Sequence, residues 1–282
     1  MTSVLLTCAG GLAQVSVIHH LRSLGVHRIV GVDRVGFGAA KGLLDWGSLV
    51  PDPATPEYRP TIDRIRREFG VTVTLVCSDG EAVALDPTLA TWTDKPRCYR
   101  KLEQMGIPVA RWLVGGVVKP HTGSGGKGQW AIPRGLVVQQ ELPGVDWSVD
   151  FVADGGVVYG VVPKVRLRTH GASTHAQIIP DEKVTGLVGR VVRQCNLSGL
   201  MNIQMRGDGR GELCVYDLNP RIGASAIMGT LAGVDLFGLE IARQTGKPLT
   251  PAAPPRDCFI WRHYAETVNP DPLERADECV YS

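Results

Sequence analysis

The chain has 282 residues, 44% hydrophobic and 21% charged, enough for one large α/β unit or two to three small subdomains around a shared site. A net charge of +2 gives no general case for nucleic-acid or membrane-surface binding, and no apolar run is long enough to span a bilayer. The seven cysteines show no C-x-x-C or zinc spacing and mostly sit in apolar runs, as reduced thiols do; with no basic leader before the first strand, the expected location is cytoplasmic.

Residues 3–11 read as a buried strand running into Gly10 and Gly11, residues 15–24 as a helix ended by Gly25, and residues 28–33 as a second strand. This β-α-β start implies a parallel sheet. A dinucleotide cradle would use Gly10, Gly11 and Asp33, but the full G-x-G-x-x-G is absent: Gln14 and Val15 stand where glycine belongs. After a proline-rich stretch at 52–60, residues 58–69 carry a helical pattern with Ile62 and Ile65 inward and Arg64, Arg66 and Arg67 on the solvated face. A third strand over 71–77 ends near Asp79 and Glu81, at the carboxyl end where α/β sheets bind ligands. Thr93 or Asp94 then caps a helix that begins at Lys95 and stops at Gly106.

A lysine at a strand end, Lys119, precedes Pro120 and a glycine loop that includes Ser124, Gly125 and Gly126. Such a lysine holds phosphate as a point charge, and glycines let backbone N–H groups turn toward phosphate without a Cβ in the way. It is not a Walker loop, since G-K-[ST] is missing and the lysine comes before the glycines. Residues 136–146 run from an apolar strand through Gln139, Gln140 and Leu142 to Gly144 and Asp146, and residues 147–152 continue as an alternating strand. In the strand over 158–168, Lys164, Arg166 and Arg168 fall on one face, which repels unless an anion sits between them or solvent surrounds them. Residues 171–175 read as a mobile loop, with His170 and His175 as either general bases or solvated loop histidines, and residues 183–195 as a helix burying Val184, Leu187, Val188 and Val191.

Residues 200–205 and 213–219 alternate around a glycine-rich turn and read as a hairpin. Side chains two apart on a strand share a face, so Asp217 and Asn219 point the same way, and hard oxygens on one face suit Mg²⁺. Arg221, just past Pro220, is placed to reach an anion bound to that metal; a surface hairpin with a polar edge accounts for the same residues. The small residues of 222–230, a closing helix over 234–245 and a last strand over 258–264 complete the chain, with no internal repeat.

The K-P with its glycine loop, the 136–146 segment and N-x-Q…D-x-N-P-R stand in the order found in the ATP-grasp superfamily, and the chain resembles its carbamoyl-phosphate-synthetase-like branch. The resemblance implies an α/β fold with an α+β catalytic part. A Rossmann-like domain would span 1–90 and a compact ATP-grasp region 91–282, divided into a lid at 111–140 and a metal- and substrate-binding part at 141–282. Only residues 111–116 and 129–135 flank the glycine loop where the family has more structure, so the lid is expected to be minimal, little more than a hairpin. By the same resemblance Gln204, Asp217 and Asn219 hold Mg²⁺, or Mn²⁺ in its place, against ATP; the acidic position is more often Glu in the family. Arg221 faces the transferred phosphoryl group, and Arg166 and Arg168 bind phosphate or the acceptor. Lys95, Lys119, Ser124, Gly125 and Gly126 contact the nucleotide phosphates, Gln139, Gln140 and Leu142 flank adenine, and Asp146 accepts from ribose.

The implied activity is ATP-dependent carboxylate–amine ligation through an acylphosphate, releasing ADP and phosphate. The alternatives are a kinase on the same fold and a nucleotide-binding protein without catalysis. The expected partners are a small carboxylate and an amine or other nucleophile, with a homodimer allowed for and neither nucleic acid nor membrane. For Gln204 to share a face with Asp217 and Asn219, paired positions must sum to an odd number, as with 204 opposite 215. That requires an even-length turn, most simply 208–211, or a bulge that restores parity.

Overall fold

The computed structural model describes residues 1–115, 117–118, 130–170 and 172–263. Strands β1 (Ser3–Thr7), β2 (Arg28–Asp33), β3 (Trp46–Leu49) and β4 (Val73–Leu75) form a parallel sheet in the order β3-β2-β1-β4. Helix α1 (Gln14–Ser23) covers one face with Val17, Ile18 and Leu21, and α2 (Tyr58–Glu68) covers the other with Tyr58, Ile62 and Ile65. Covered on both sides, β1 is a continuous apolar run rather than an alternating one. The edge strand β3 escaped the sequence pattern because only alternate residues of its W-G-S-L are half-buried. The expected strand over 71–77 shortens to β4.

Helix α3 (Asp79–Leu85) is capped by Ser78, whose hydroxyl accepts from the Glu81 N–H. After α4 (Ala90–Thr93), Asp94 rather than Thr93 caps α5 (Lys95–Gln104), accepting from the Arg97 N–H at 2.9 Å. Two short ladders follow, β5 (Trp112–Val114) with β8 (Val137–Gln139) outside and β6 (Val117–Val118) with β7 (Trp130–Ala131) inside. Among the described residues this region has no helix.

A second sheet, six-stranded and antiparallel throughout, carries the rest in the order β13-β12-β9-β10-β11-β14. It comprises β9 (Asp146–Asp154), β10 (Val157–His170), β11 (Ala172–Ile178), β12 (Gly199–Gly207), β13 (Leu213–Asn219) and β14 (Cys258–Trp261). The segment expected as a loop at 171–175 is thus largely strand: β11 turns back on β10 with Thr169 opposite Ser173. Alternation decides what each face meets. Val149, Phe151, Met201, Ile203 and Met205 turn toward α5 and α6 (Glu182–Cys195), whose Val184, Leu187, Val188 and Val191 pack there. On the opposite face, Val152, Val162 and Leu200 pack with Phe237 of α8 (Leu236–Gln244) and Met228 of α7 (Ile227–Leu231).

That last cluster also contains Val4, Leu6, Ile18 and Leu21, so the two sheets share one apolar core. Polar contacts reinforce it. The Gln244 side chain caps the open edge of β4, accepting from Thr74 N–H at 2.8 Å and donating to its carbonyl at 2.9 Å, which occupies edge groups otherwise free to pair with another chain. His20 Nε2 meets Asp235 Oδ1 at 2.7 Å. Among the described residues no helix is long and apolar enough to cross a membrane.

Candidate functional site

The hairpin β12–β13 places Asn202 opposite Asn219 and Gln204 opposite Asp217, while nearer the turn Met205 pairs with Val215. Tyr216 is therefore bulged. The turn over 208–212 has odd length, closed by Asp208 N–H to the Glu212 carbonyl at 2.9 Å, and the bulge restores the parity that puts Gln204, Asp217 and Asn219 on one face. The pairing 204 with 215 does not occur, because the turn and bulge together shift the register by two residues.

Side chains from distant segments converge on this face. Lys95 Nζ, at the start of α5, donates to Asp217 Oδ1 at 2.5 Å. Burial lowers the lysine's proton affinity, but the Asp217 carboxylate more than offsets this and holds the ammonium above its ordinary value. Asn219 Nδ2 donates to Asp217 Oδ2 at 3.2 Å, and the Arg221 guanidinium donates to Asn219 Oδ1 at 3.1 Å while its Nε lies 3.3 Å from Asp79 Oδ1. Asp79 is thus tied to the site, whereas Glu81 turns inward and accepts from Thr7 Oγ1 at 2.6 Å and Ser78 Oγ at 2.8 Å.

Beneath these groups the floor of the site is polar and dry. Asn202 Nδ2 donates to Asp150 Oδ1 at 2.7 Å, to Ser148 Oγ at 3.0 Å and to the Val149 carbonyl at 3.3 Å. Asp150 accepts from Lys164 Nζ, and both side chains are fully buried. A Cβ on Gly223 would come within 2.5 Å of Asp150 Oδ1, so only glycine lets the chain after Arg221 close over this carboxylate. Asp150 and Asn202 carried a signal in sequence, a polar residue at every second position of an otherwise apolar strand, but their partners did not.

One strand-step away lies a second group. Arg166 donates to Asp146 Oδ2 through Nε at 3.0 Å and NH2 at 2.6 Å, the Tyr216 hydroxyl donates to Asp146 Oδ1 at 2.7 Å, and Arg206 stands 3.2 Å from the same carboxylate. Burial opposes the Asp146 charge, but Tyr216, Arg206 and Arg166 together hold its carboxyl below the usual range. The stripe of Lys164, Arg166 and Arg168 is therefore not three unpaired cations. Two of them are neutralised by the protein's own Asp150 and Asp146, and Arg168 alone is exposed beyond them. Gln139, Gln140, Leu142, Arg166, Arg206 and Tyr216 border a cavity of about 220 Å³. Gly144 packs its backbone on Gly207, where a Cβ would fall 2.6 Å from the Gly207 Cα, and this holds the segment against β12. Of the remaining candidates, Lys119, Ser124, Gly125 and Gly126 lie outside the described residues.

One carboxylate and two amides on one face offer hard oxygens to a divalent cation. Asp217 already holds one positive group, the Lys95 ammonium, so this face attracts cationic charge. Among the described residues no three His, Cys, Asp or Glu side chains gather as a metal cluster without the amides.

Residues 133–266 match a family model described as ATP-grasp in the biosynthetic pathway with Ter operon. No curated protein matches the sequence. Among solved structures, the chain is similar to phosphoribosylglycinamide synthetase from Anaerococcus prevotii at 13% identity, covering 89% of this chain and 76% of that one, with a TM-score of 0.64. It is similar to L-amino acid ligase from Bacillus licheniformis at 15% identity, 89% and 75% coverage and a TM-score of 0.64. A third similarity is to N5-carboxyaminoimidazole ribonucleotide synthetase from Thermotoga maritima, at 18% identity, 88% and 77% coverage and a TM-score of 0.62. The chain thus has the fold of these ATP-grasp enzymes, and the family-model match takes in β9 through β14.

Proposed function

We propose that this protein is an ATP-dependent carboxylate–amine ligase of the carbamoyl-phosphate-synthetase-like branch, acting through an acylphosphate and releasing ADP and phosphate. The observation that carries the reading is the convergence of Gln204, Asp217 and Asn219 on one face of the hairpin with Lys95 and Arg221 in contact with them. Adenine would sit in the cavity bordered by Gln139, Gln140 and Leu142. The proposed organisation is a Rossmann-like part over 1–90 and a catalytic part over 91–282, with the short ladders of 111–140 covering the nucleotide. A cytoplasmic setting suits the six described cysteines, all free thiols.

Gln204, Asp217 and Asn219 would hold Mg²⁺, which when bound neutralises charge on the phosphate oxygens. Lys95 and Arg221 carry fixed positive charge on either side of that position, Lys95 on Asp217 and Arg221 on Asn219. Such charge stabilises a phosphoryl group in transfer without reorganising. A substrate carboxylate oxygen attacks the γ-phosphorus and the bond to the ADP oxygen breaks. The amine then attacks the acyl carbon, phosphate leaves and the nitrogen loses a proton. Arg221, tied to Asp79 as well as Asn219, is oriented to hold the carboxylate or the leaving phosphate.

A screen of carboxylic acids with hydroxylamine as the nucleophile tests this. The expected products are ADP, inorganic phosphate and a hydroxamate. ADP with a stable phosphorylated product and no hydroxamate would mark phosphoryl transfer alone, and AMP with pyrophosphate as primary products would overturn the reading.

A further inference from the structure

Asn202 is ligated at both ends, and the two ends are chemically different. Its Nδ2 faces Asp150 Oδ1 at 2.7 Å and the Val149 carbonyl at 3.3 Å, both of which only accept. The amide therefore has one orientation, and Oδ1 must point the other way. There it meets Gln204 Nε2 at 3.4 Å and Asn219 Nδ2 at 3.5 Å. These are long contacts that contribute little energy, but they set polarity: Asn202 Oδ1 only accepts, so Gln204 and Asn219 turn their NH2 groups to the floor and their carbonyl oxygens away from it, that of Asn219 to the side where Arg221 donates to it. The buried carboxylate that starts this chain requires a positive partner in a dry site, which Lys164 supplies with full burial of both groups. Gly223 seals it from above.

We propose that Lys164, Asp150 and Asn202 are positioning residues, a one-way relay that aims the amide oxygens of Gln204 and Asn219 at the cation site. The inference rests on the metal assignment above, and it adds that the affinity of the site is set by three side chains that never touch the cation.

The relay is tested by Mn²⁺ binding in the presence of ADP, read by electron paramagnetic resonance, in wild type, Asp217→Ala, Asn202→Ser and the double variant Asp150→Asn with Lys164→Met. The double variant removes both charges together, so no lone buried charge is left, and the amide at 150 can then present either end to Asn202. Expected is a Mn²⁺ affinity about 10–100-fold weaker in Asn202→Ser and in the double variant, with ADP affinity in the absence of metal changed by less than about twofold. Loss of general structure would lower both. If the double variant does not fold, Asn202→Ser alone decides. Unchanged Mn²⁺ affinity in a folded Asn202→Ser protein whose Asp217→Ala counterpart has lost it would overturn the relay and leave the metal assignment standing. Equal affinity in wild type and Asp217→Ala would overturn the metal assignment and the relay with it.

Discussion

The two faces of strands β9 and β12 are equally dry but differ in what holds them. On one, the Val149, Phe151 and Ile203 side chains are fully buried in an apolar cluster against α5 and α6. On the other, Ser148, Asp150 and Asn202 are no more than 3% exposed, yet every one of them hydrogen-bonds to another side chain. The apolar face supplies stability, which scales with area and tolerates any well-filled packing. The polar face gains little net stability from its bonds, because each replaces one to water, but it is expensive to leave any of them unmade. What the polar face provides is direction: it fixes which way an amide or carboxylate points. The cation site proposed above needs direction, and it is on this face that Gln204, Asp217 and Asn219 are found.

The contrast is broken most severely from the apolar side. Phe151→Ala should cost about 3–5 kcal/mol of unfolding free energy through lost burial and a cavity, measured by denaturant titration, while nucleotide affinity of the folded fraction stays unchanged. A parallel fall in nucleotide affinity would mean the two faces are not separable.

Asp217→Ala should do the reverse, lowering turnover by about 10²–10³-fold, the usual result of losing one charge-stabilising group, with the midpoint of thermal unfolding little moved and ADP still bound. Wild-type turnover dependent on Mg²⁺ in this variant would remove Asp217 from the site.

A smaller effect is expected where the apolar face touches the bulge. The Tyr99 hydroxyl of α5 donates to the Tyr216 carbonyl at 2.7 Å, so Tyr99→Phe should cost about 0.5–1.5 kcal/mol. If the bulge depends on this bond, turnover should fall beyond what the stability loss explains, and equal losses would make Tyr99 a packing residue only.

The smallest effect is a pH dependence. The Asp146 carboxyl is held below its unfolded value by Tyr216, Arg206 and Arg166 despite burial. A depressed carboxyl contributes stability that is fully present above the unfolded value, about 3.9, and is lost as pH falls through the lower folded value. The difference in unfolding free energy between wild type and Asp146→Asn should therefore be constant near neutrality and narrow only below about pH 4. A gap independent of pH would show that the charge on Asp146 contributes nothing.

Local patterns settled a good deal of this protein. Period two in 200–205 and 213–219 is enough to identify strands β12 and β13, and to put Asp217 and Asn219 on one side, because consecutive residues of a strand alternate by geometry alone. Asp94 before Lys95 is sufficient for a helix start, since a capping carboxylate acts within three residues. What the pattern could not decide was anything that joins distant segments. Whether Gln204 meets Val215 or Asp217 depended on a five-residue turn and a bulge at Tyr216, each of which shifts the register by one residue. The Lys95 contact with Asp217 spans 122 positions, and the pairing of Lys164 with Asp150 requires β9 and β10 to lie in one particular register. Along the chain Lys164 and Arg166 read as like charges to be relieved by a bound anion or by solvent, because their carboxylates stand on another strand. Charge and spacing along a chain state what each residue is able to do, and only the packing of one strand against the next selects its partner.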